Sequence, residues 1–274
     1  MKNENKIIED YKNGMSGCKL AEKYNMKVHQ IYYILDKNKI ERRSNKVNSR
    51  KYKHNEDFFE VIDCEAKAYW LGFIYADGYI SIAPTGQKVL GISLSLEDKA
   101  HLEQFKKDIQ ATNPINIYES TGYGDGNMYC RLAITSEKTV NDLIVKGVVE
   151  HKTNILTFPT EEQVPKHLIH HFIRGYFDGD GCITKYEFRG YDRYKTSFVG
   201  TYQFLQSINN IVYENYNIKI PKLHKRKKEH EVYSLEYASN KRSKILYEFM
   251  YKDATIYLNR KYNKFSRLMK KENS

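Results

Sequence analysis

Two short segments of this 274-residue chain end an apolar run with an aspartate and a glycine. The first reads WLGFIYADG and ends at Asp77 and Gly78; the second reads IRGYFDGDG and ends at Asp180 and Gly181. A carboxylate in the last turn of a helix lies at the unfavourable end of the helix dipole. A divalent cation removes that cost, and paired carboxylates suit Mg²⁺. We therefore take both aspartates as candidate metal ligands and catalytic residues.

Each segment also carries two very small residues four positions apart: Gly72 and Ala76, then Gly175 and Gly179. Glycine inside a helix costs about 1 kcal/mol relative to alanine, so it needs a structural reason. Residues four apart share one helix face, and small side chains there let two helix backbones touch. The spacing predicts that helices 66–77 and 167–180 pack together in parallel and bring the aspartates together. A lone Asp-Gly pair is a common helix cap, but its repetition favours the functional interpretation.

Two carboxylates that hold a metal against a phosphodiester allow one reaction class in particular. A metal there lowers the pKa of attacking water, neutralises developing charge and stabilises the leaving 3′ oxygen. Without the aspartates, the sequence would predict only DNA binding.

The elements around these segments occur twice in the order α-β-β-α-β-β-α. One copy spans residues 57–158 and the other 159–274. The alternation of polar and apolar residues in 231–237 is typical of a strand, and we predict its partner strand at Ile218–Leu223. The order predicts an α+β fold with two antiparallel sheets, each covered by helices on one face.

The sequence of residues 1–42 predicts a small all-α domain. Ser16 is a candidate N-cap, Ala21 a small contact residue, and Asn25 a turn residue that tolerates the left-handed conformation. This spacing resembles the helix-turn-helix of resolvase and transposase DNA-binding domains. Its third helix, Lys27–Asp36, would then present four candidate DNA contacts: Lys27, His29, Gln30 and Tyr33. An ordinary helical hairpin is the alternative.

The net charge of +11, from 45 Lys and Arg against 34 Asp and Glu, favours a polyanionic partner. Residues 43–56 read as a basic linker, and Arg42 and Arg43 are candidate DNA contacts, although a solvated tether would look the same. No apolar run reaches the roughly eighteen residues that span a bilayer, and no basic amphipathic helix suits a membrane surface. The four cysteines are far apart in sequence, which argues against a zinc knuckle and favours a reducing cytoplasm.

Segments Trp70–Gly78 and Ile173–Gly181 resemble the two LAGLIDADG motifs of single-chain homing endonucleases. The resemblance covers about residues 57–267 and implies a pseudo-twofold saddle of two αββαββα halves. It also implies a monomeric, Mg²⁺-dependent enzyme, with Mn²⁺ as a substitute, that cuts a long, nearly asymmetric duplex DNA site to leave short 3′ overhangs. The metal ligands it implies are Asp77 and Asp180, with the backbone carbonyls of Ala76 and Gly179. Tyr75 departs from the motif. At this position, two residues before the last aspartate, the family usually has another aspartate, whose role is chiefly structural.

The resemblance further implies one basic residue near the metal in each half, and Lys152 and Lys261 occupy equivalent places. Either could polarise water or balance charge in the transition state, and a phosphate contact or a solvated lysine is the alternative. Candidate DNA-reading residues lie at alternate strand positions: Ser81, Ser93, Ser95, Thr184, Tyr186, Lys195 and Ser197. Further candidates for phosphate or guanine contacts are Arg131, Lys222, His224 and Arg226.

Two other functions share the predicted scaffold. A non-cleaving DNA-binding regulator would typically have lost one or both aspartates, which this chain keeps. An RNA maturase would bind RNA with the same surfaces. An N-terminal helix-turn-helix joined to this core suggests a free-standing bacterial or phage enzyme of the cytoplasm and nucleoid.

Overall fold

The computed structural model describes residues 2–42, 51–120, 126–227 and 230–270. The chain forms two compact units, Met1–Lys53 and His54–Ser274. Residues 43–50 of the predicted linker, and Arg43 with them, lie outside the described residues. Within the described ranges no helix is both long and apolar enough to cross a membrane.

The N-terminal unit contains helices α1 (Lys2–Lys12), α2 (Gly17–Lys23) and α3 (Val28–Lys37). The Ser16 hydroxyl accepts a hydrogen bond from the Lys19 N–H at 3.3 Å, so Ser16 caps α2 as predicted. Asn25 has a φ of 49° and turns the chain towards α3, also as predicted. The buried core of this unit consists of Ile7, Tyr11, Leu20, Ala21, Ile31, Ile34 and Leu35.

The second unit begins its first half with helix α4 (Glu65–Ala76). The strand pair β1 (Gly78–Ile82) and β2 (Lys88–Ser95) follows, and then helix α5 (Lys99–Asp108). Strands β3 (Asn116–Glu119) and β4 (Met128–Thr135) and helix α6 (Glu137–Val145) complete this half.

The second half repeats this order with helix α7 (Ile169–Asp180), strands β5 (Cys182–Phe188) and β6 (Tyr191–Gly200), and helix α8 (Tyr202–Tyr216). Strands β7 (Leu223–Lys227) and β8 (His230–Ala238) follow, and then helices α9 (Asn240–Tyr251) and α10 (Asn259–Lys270). The predicted α+β architecture with a duplicated αββαββα order is confirmed.

Both sheets are antiparallel and have the same topology, with strand orders β1-β2-β4-β3 and β5-β6-β8-β7. One face of each sheet packs on its helices. In β2 the side chains of Leu90, Ile92 and Leu94 are buried, and in β6 those of Thr196 and Phe198 are buried. The alternate residues point to the opposite face, which we call the open face of each sheet.

The position of β7 corrects the predicted strand at Ile218–Leu223. Asn217 ends α8 in the left-handed conformation, with a φ of 47°. Pro221 has no N–H to donate to a strand ladder, and its carbonyl instead accepts a hydrogen bond from the Asn209 side chain at 3.1 Å. Strand β7 therefore starts at Leu223 and includes the basic residues that follow. An edge strand tolerates such charge, which also discourages pairing with other chains.

Helices α4 and α7 pack backbone to backbone. A Cβ atom on Gly72 would lie 2.0 Å from the carbonyl oxygen of Phe172, and one on Gly175 would lie 2.0 Å from that of Tyr69. Nearer the C-terminal ends, a Cβ atom on Gly179 would lie 2.3 Å from the Cβ of Ala76. The contact of Ala76 with Gly179 follows the other two contacts along both helices, so the helices are parallel and their C-terminal ends meet.

Candidate active site

Asp77 and Asp180 lie side by side where α4 and α7 end. A Cβ atom on Gly179, the residue before Asp180, would lie 3.3 Å from Asp77 Oδ2. The chain turns directly from each helix into a strand, since β1 starts at Gly78 and β5 at Cys182. A Cβ atom on Gly181 would lie 2.1 Å from the ring of Phe177, which leaves only glycine at this tight turn.

Both carboxylates reach solvent, but protein surrounds them and displaces much of the bulk water. This partial burial and the negative charge of Asp180 raise the pKa of Asp77 to about 6. Burial also raises the pKa of Asp180, while Lys152 and Lys261 act in the opposite direction. The pair therefore carries negative charge that the protein alone does not fully compensate.

A change of Asp77 to Asn is expected to stabilise the metal-free protein at pH 7.5, and by only about half as much at pH 5. The pKa of Asp77 is about 6 in the folded chain and near 3.8 ordinarily. The stability that comes from protonated Asp77 is therefore fully present below pH 3.8 and is lost as the pH rises from there through about 6. In a chelator at pH 7.5 the melting temperature of the variant is expected to exceed that of the parent by about 2 °C. This corresponds to a gain in unfolding free energy of roughly 1 kcal/mol, after allowance for solvent screening. An equal gain at both pH values would contradict this origin.

The side chains of Lys152 and Lys261 bind the carbonyl groups at the ends of the two helices. Lys152 Nζ donates to the carbonyl of Ile74 at 2.6 Å and to that of Gly78. Lys261 Nζ donates to the carbonyls of Phe177 at 2.7 Å and Gly179 at 2.8 Å. Neither ammonium group is simply solvated, and each places a positive charge at the negative end of a helix dipole.

Burial lowers the pKa of both lysines to about 8, although the aspartates act to raise it. Lys261 is the more enclosed of the two, with 4% of its surface exposed. Two partly dehydrated cations therefore lie beside two partly dehydrated carboxylates. This arrangement can balance charge that develops on a bound phosphodiester.

Lys261→Met and Lys152→Met are each expected to slow cleavage of one DNA strand by about a hundredfold. Methionine keeps the aliphatic volume but removes the charge beside the aspartates. Methionine removes both the cost of burying the charge and the hydrogen bonds to the helix-end carbonyls, and because these effects oppose each other, stability is expected to change little. Strand-specific end-labelling would detect nicked product, and Lys264→Met on the exposed side of α10 is the control. Equal slowing of both strands by each variant would contradict a role confined to one half.

A buried residue two positions before each aspartate ties down the segment that carries the lysine of the same half. Asp178 accepts hydrogen bonds from the Tyr69 hydroxyl at 2.8 Å, the Tyr251 hydroxyl at 2.5 Å and the Leu258 N–H at 2.8 Å. Tyr75, in the equivalent place, donates to the carbonyl of Lys146 at 2.5 Å. Sequence reasoning did not identify the partners of either residue. A charged residue inside an apolar helix was the available signal.

Arg174 is another buried residue of α7 whose role sequence reasoning missed. Its fully buried guanidinium forms an ion pair with Glu65, the first residue of α4. It also donates to the carbonyls of Met250 at 2.8 Å and Ile256 at 2.9 Å. The two halves are therefore joined by a buried ion pair as well as by backbone contact.

No protein-family model and no curated protein matches the sequence. Solved structures do match this architecture. The homing endonuclease I-WcaI bound to its DNA recognition sequence has a TM-score of 0.55 and 14% identity, covering 77% of this chain and 91% of that one. The LAGLIDADG homing endonuclease I-GzeII in complex with its DNA target has a TM-score of 0.51 and 13% identity, covering 75% and 90%.

The chain has the LAGLIDADG homing endonuclease fold. At these identities the likeness concerns the fold, and the two aspartates lie at the C-terminal ends of its central helices.

The donor set of this LAGLIDADG fold suits a hard divalent cation. Mg²⁺ is commonly held by one or two carboxylates together with substrate phosphates and water. Among the described residues no group of three or more His, Cys, Asp or Glu side chains could hold a metal. Asp77 and Asp180 would therefore need oxygen ligands from elsewhere. The carbonyl of Gly179 already accepts from Lys261, so the predicted use of that carbonyl would share it with an ammonium group.

The predicted DNA-reading residues of the first half lie on the open face of its LAGLIDADG sheet. Ser93 pairs with Arg131 in the register of β2 and β4, and Ser95 and Ser81 lie on the same face. The Arg131 guanidinium lies 5.3 Å from the centre of the Tyr79 ring. The structure thus brings these residues together, and their contact with DNA stays a prediction.

The second half places its predicted residues in the same way. Thr184 pairs with Lys195, and Tyr186 and Ser197 share their face. Lys195 forms an ion pair with Glu236 at 3.2 Å, so a DNA contact by Lys195 would compete with that carboxylate. The remaining candidates lie at or beside the edge strand: Lys222 just before β7, His224 opposite Ser234, and Arg226 at an irregularity in the register.

The N-terminal candidates lie on the exposed side of α3. Tyr33 is 68% exposed, and Lys27 and His29 are also exposed. Gln30 is partly committed, because its Oε1 accepts from the Lys27 N–H at 2.9 Å. Arg42 is held by an ion pair with Asp36 and by stacking 4.8 Å from the centre of the Tyr32 ring. All five residues belong to the first compact unit, Met1–Lys53, and their contact with DNA stays a prediction.

Proposed function

We propose that this chain is a site-specific endonuclease that cuts double-stranded DNA by metal-dependent hydrolysis. The observation that carries the proposal is the pairing of Asp77 with Asp180 at the ends of two helices in backbone contact. The fold supports it, because the neighbours I-WcaI and I-GzeII are homing endonucleases bound to DNA.

In this proposal Asp77 and Asp180 would hold divalent metal, Mg²⁺ or Mn²⁺. The bound metal would activate water and stabilise the leaving 3′ oxygen. Lys152 and Lys261 supply positive charge beside these carboxylates from rigid positions on the helix ends. Each half would cut one strand, and the product would carry short 3′ overhangs.

The proposed DNA partner is long and nearly asymmetric. The two open sheet faces carry different side chains at matching positions, for example Val89 in β2, which pairs with Ser81, and Lys195 in β6, which pairs with Thr184. A single chain with two unlike halves reads an unlike pair of half-sites as a monomer. The N-terminal helices, proposed as a helix-turn-helix, would add contacts and raise affinity through linkage.

We also propose a biological setting for this activity. A DNA-cutting enzyme of this type fits a mobile element in a bacterium or phage, with the protein in the cytoplasm at the nucleoid. The net charge of +11 supports association with nucleic acid.

The test is to incubate the purified chain with DNA carrying the uninterrupted allele of its own insertion site and with a random duplex library. With Mg²⁺ we expect cleavage at one long site with 3′ overhangs, and no cleavage in a chelator. Binding to a promoter with no cleavage under any metal would instead identify a regulator. Binding to structured RNA in preference to duplex DNA would identify a maturase.

A further inference from the structure

The hairpin of β5 and β6 extends beyond the sheet to which it belongs. The two strands pair from Cys182 opposite Ser197 to Phe188 opposite Tyr191. Strand β8 pairs with β6 only from Lys195 onward. Residues 185–194 therefore form a two-stranded arm without a third strand. In the first half, β4 pairs with β2 from Val89 onward and leaves almost no such extension.

Beyond Tyr194, whose ring is buried on the core side, the two faces of this arm have the reverse of the expected polarity. On the open face, the side chains of Tyr186, Phe188 and Tyr191 are 40%, 52% and 69% exposed. On the face that continues the core side, Lys185 forms an ion pair with Asp192 at 2.9 Å. A hairpin that met only water would gain most by turning its aromatic face inward. Its outward direction indicates a surface that another molecule covers.

The arm is held in place rather than free to fold back. Asn240, at the start of α9, accepts from the Tyr194 N–H at 2.9 Å and donates to the carbonyl of Asp192 at 3.2 Å. Arg189 and Gly190 close the hairpin with φ values of 53° and 78°, as a tight two-residue turn requires. The Arg189 guanidinium stacks 5.2 Å from the centre of the Phe188 ring. These contacts keep the aromatic face directed away from the helices.

We propose that the arm reads base pairs at the outer end of the second half-site by placing Phe188 and Tyr191 against thymine methyl groups in the major groove. This inference rests on the proposed function. A two-stranded ribbon fits the major groove, and apolar contact with the thymine methyl is one of the few ways an uncharged ring can tell bases apart. The arm continues the open face that carries Thr184 and Lys195, so a duplex on that face would meet the arm next.

Charge on the arm supports DNA as its occupant. Arg193 lies on the aromatic face opposite Tyr186, and Arg189 is at the tip. Guanidinium groups that flank an apolar reader suit phosphates on both sides of a base edge. Because the first half has no comparable arm, the second half-site is expected to be read over a longer stretch than the first.

The experiment selects preferred sites from a random duplex library with the full-length chain and repeats the selection with a Phe188→Ser/Tyr191→Ser variant. The control is Glu187→Ser, which changes an exposed residue on the opposite face of the same strand. We expect the double variant to bind the parent site about tenfold more weakly. It should also lose its preference at the outermost base pairs of one half-site, while the control keeps both.

A second measurement changes the DNA and compares the parent protein with the double variant. Replacing single thymines of the selected site by deoxyuridine removes only a methyl group. We expect about fourfold weaker binding by the parent at an arm-dependent position and no loss with the double variant. Unchanged outer preference in the double variant, or parent binding insensitive to every such replacement, would overturn this inference alone. Failure to select any duplex site would overturn the proposed function as well.

Discussion

Asp77→Asn or Asp180→Asn is expected to reduce double-strand cleavage by about a thousandfold, which corresponds to about 4 kcal/mol of transition-state stabilisation. Asparagine keeps the shape of the side chain but loses the charge that holds divalent metal. DNA binding is expected to stay within about threefold or to tighten, because one negative charge is removed from a surface that meets phosphates. Single-turnover cleavage of DNA labelled on each strand would separate the two effects.

The two variants are expected to leave nicks in different strands of the DNA. Each aspartate belongs to one half, so residual activity is expected as a nick in one strand, and in opposite strands for the two variants. The control is Asp57→Asn, the same change at a carboxylate whose side chain is 70% exposed. Cleavage of both strands at the parental rate by either variant would refute the assignment of the metal ligands.

Gly175→Ala is expected to destabilise the second unit by about 3 kcal/mol. In most helices this change stabilises by about 1 kcal/mol, because alanine is the better helix former. Here the added Cβ would lie 2.0 Å from the carbonyl oxygen of Tyr69, an atom of backbone that cannot rotate away. Gly72→Ala is expected to destabilise the unit by a similar amount, since its Cβ would lie at the same distance from the carbonyl oxygen of Phe172. Urea denaturation of the full chain without metal measures both.

The matched control is Asn210→Ala on the exposed side of α8. It too introduces alanine into a helix, and we expect a change within about 0.5 kcal/mol. Unfolding of Gly175→Ala at the parental urea concentration would mean that α4 and α7 are not in backbone contact. The close approach of the two aspartates would then lose its structural basis.

Much of the second unit could be predicted from local patterns. The helices predicted at 66–77 and 167–180 lie at Glu65–Ala76 and Ile169–Asp180 in the structure. Glycines four apart predicted the contact of α4 with α7, because only close backbones explain glycine in the middle of an apolar helix. The pair of aspartates followed from the same repetition. Such signals are readable because each depends on residues near one another in the chain.

Other features were not readable in this way. The position of β7 depends on a hydrogen bond from Asn209 to the carbonyl of Pro221. The hydrogen bonds that hold Asp178 come from Tyr69, Tyr251 and Leu258, which are far from it in sequence. The resemblance located Lys152 and Lys261, but not the carbonyl groups that they bind. Each of these depends on which distant segments meet.

The sequence by itself determined the repeated helix ends, and with them the pairing of two acidic residues, because periodicity and the cost of glycine act within a few turns. The tertiary structure decided how much water reaches Asp77, which cations lie beside it, and that residues 185–194 present their aromatic face outward. The physical reason is the distance over which each effect acts. Burial and electrostatics depend on all the atoms around a group, whichever part of the chain supplies them.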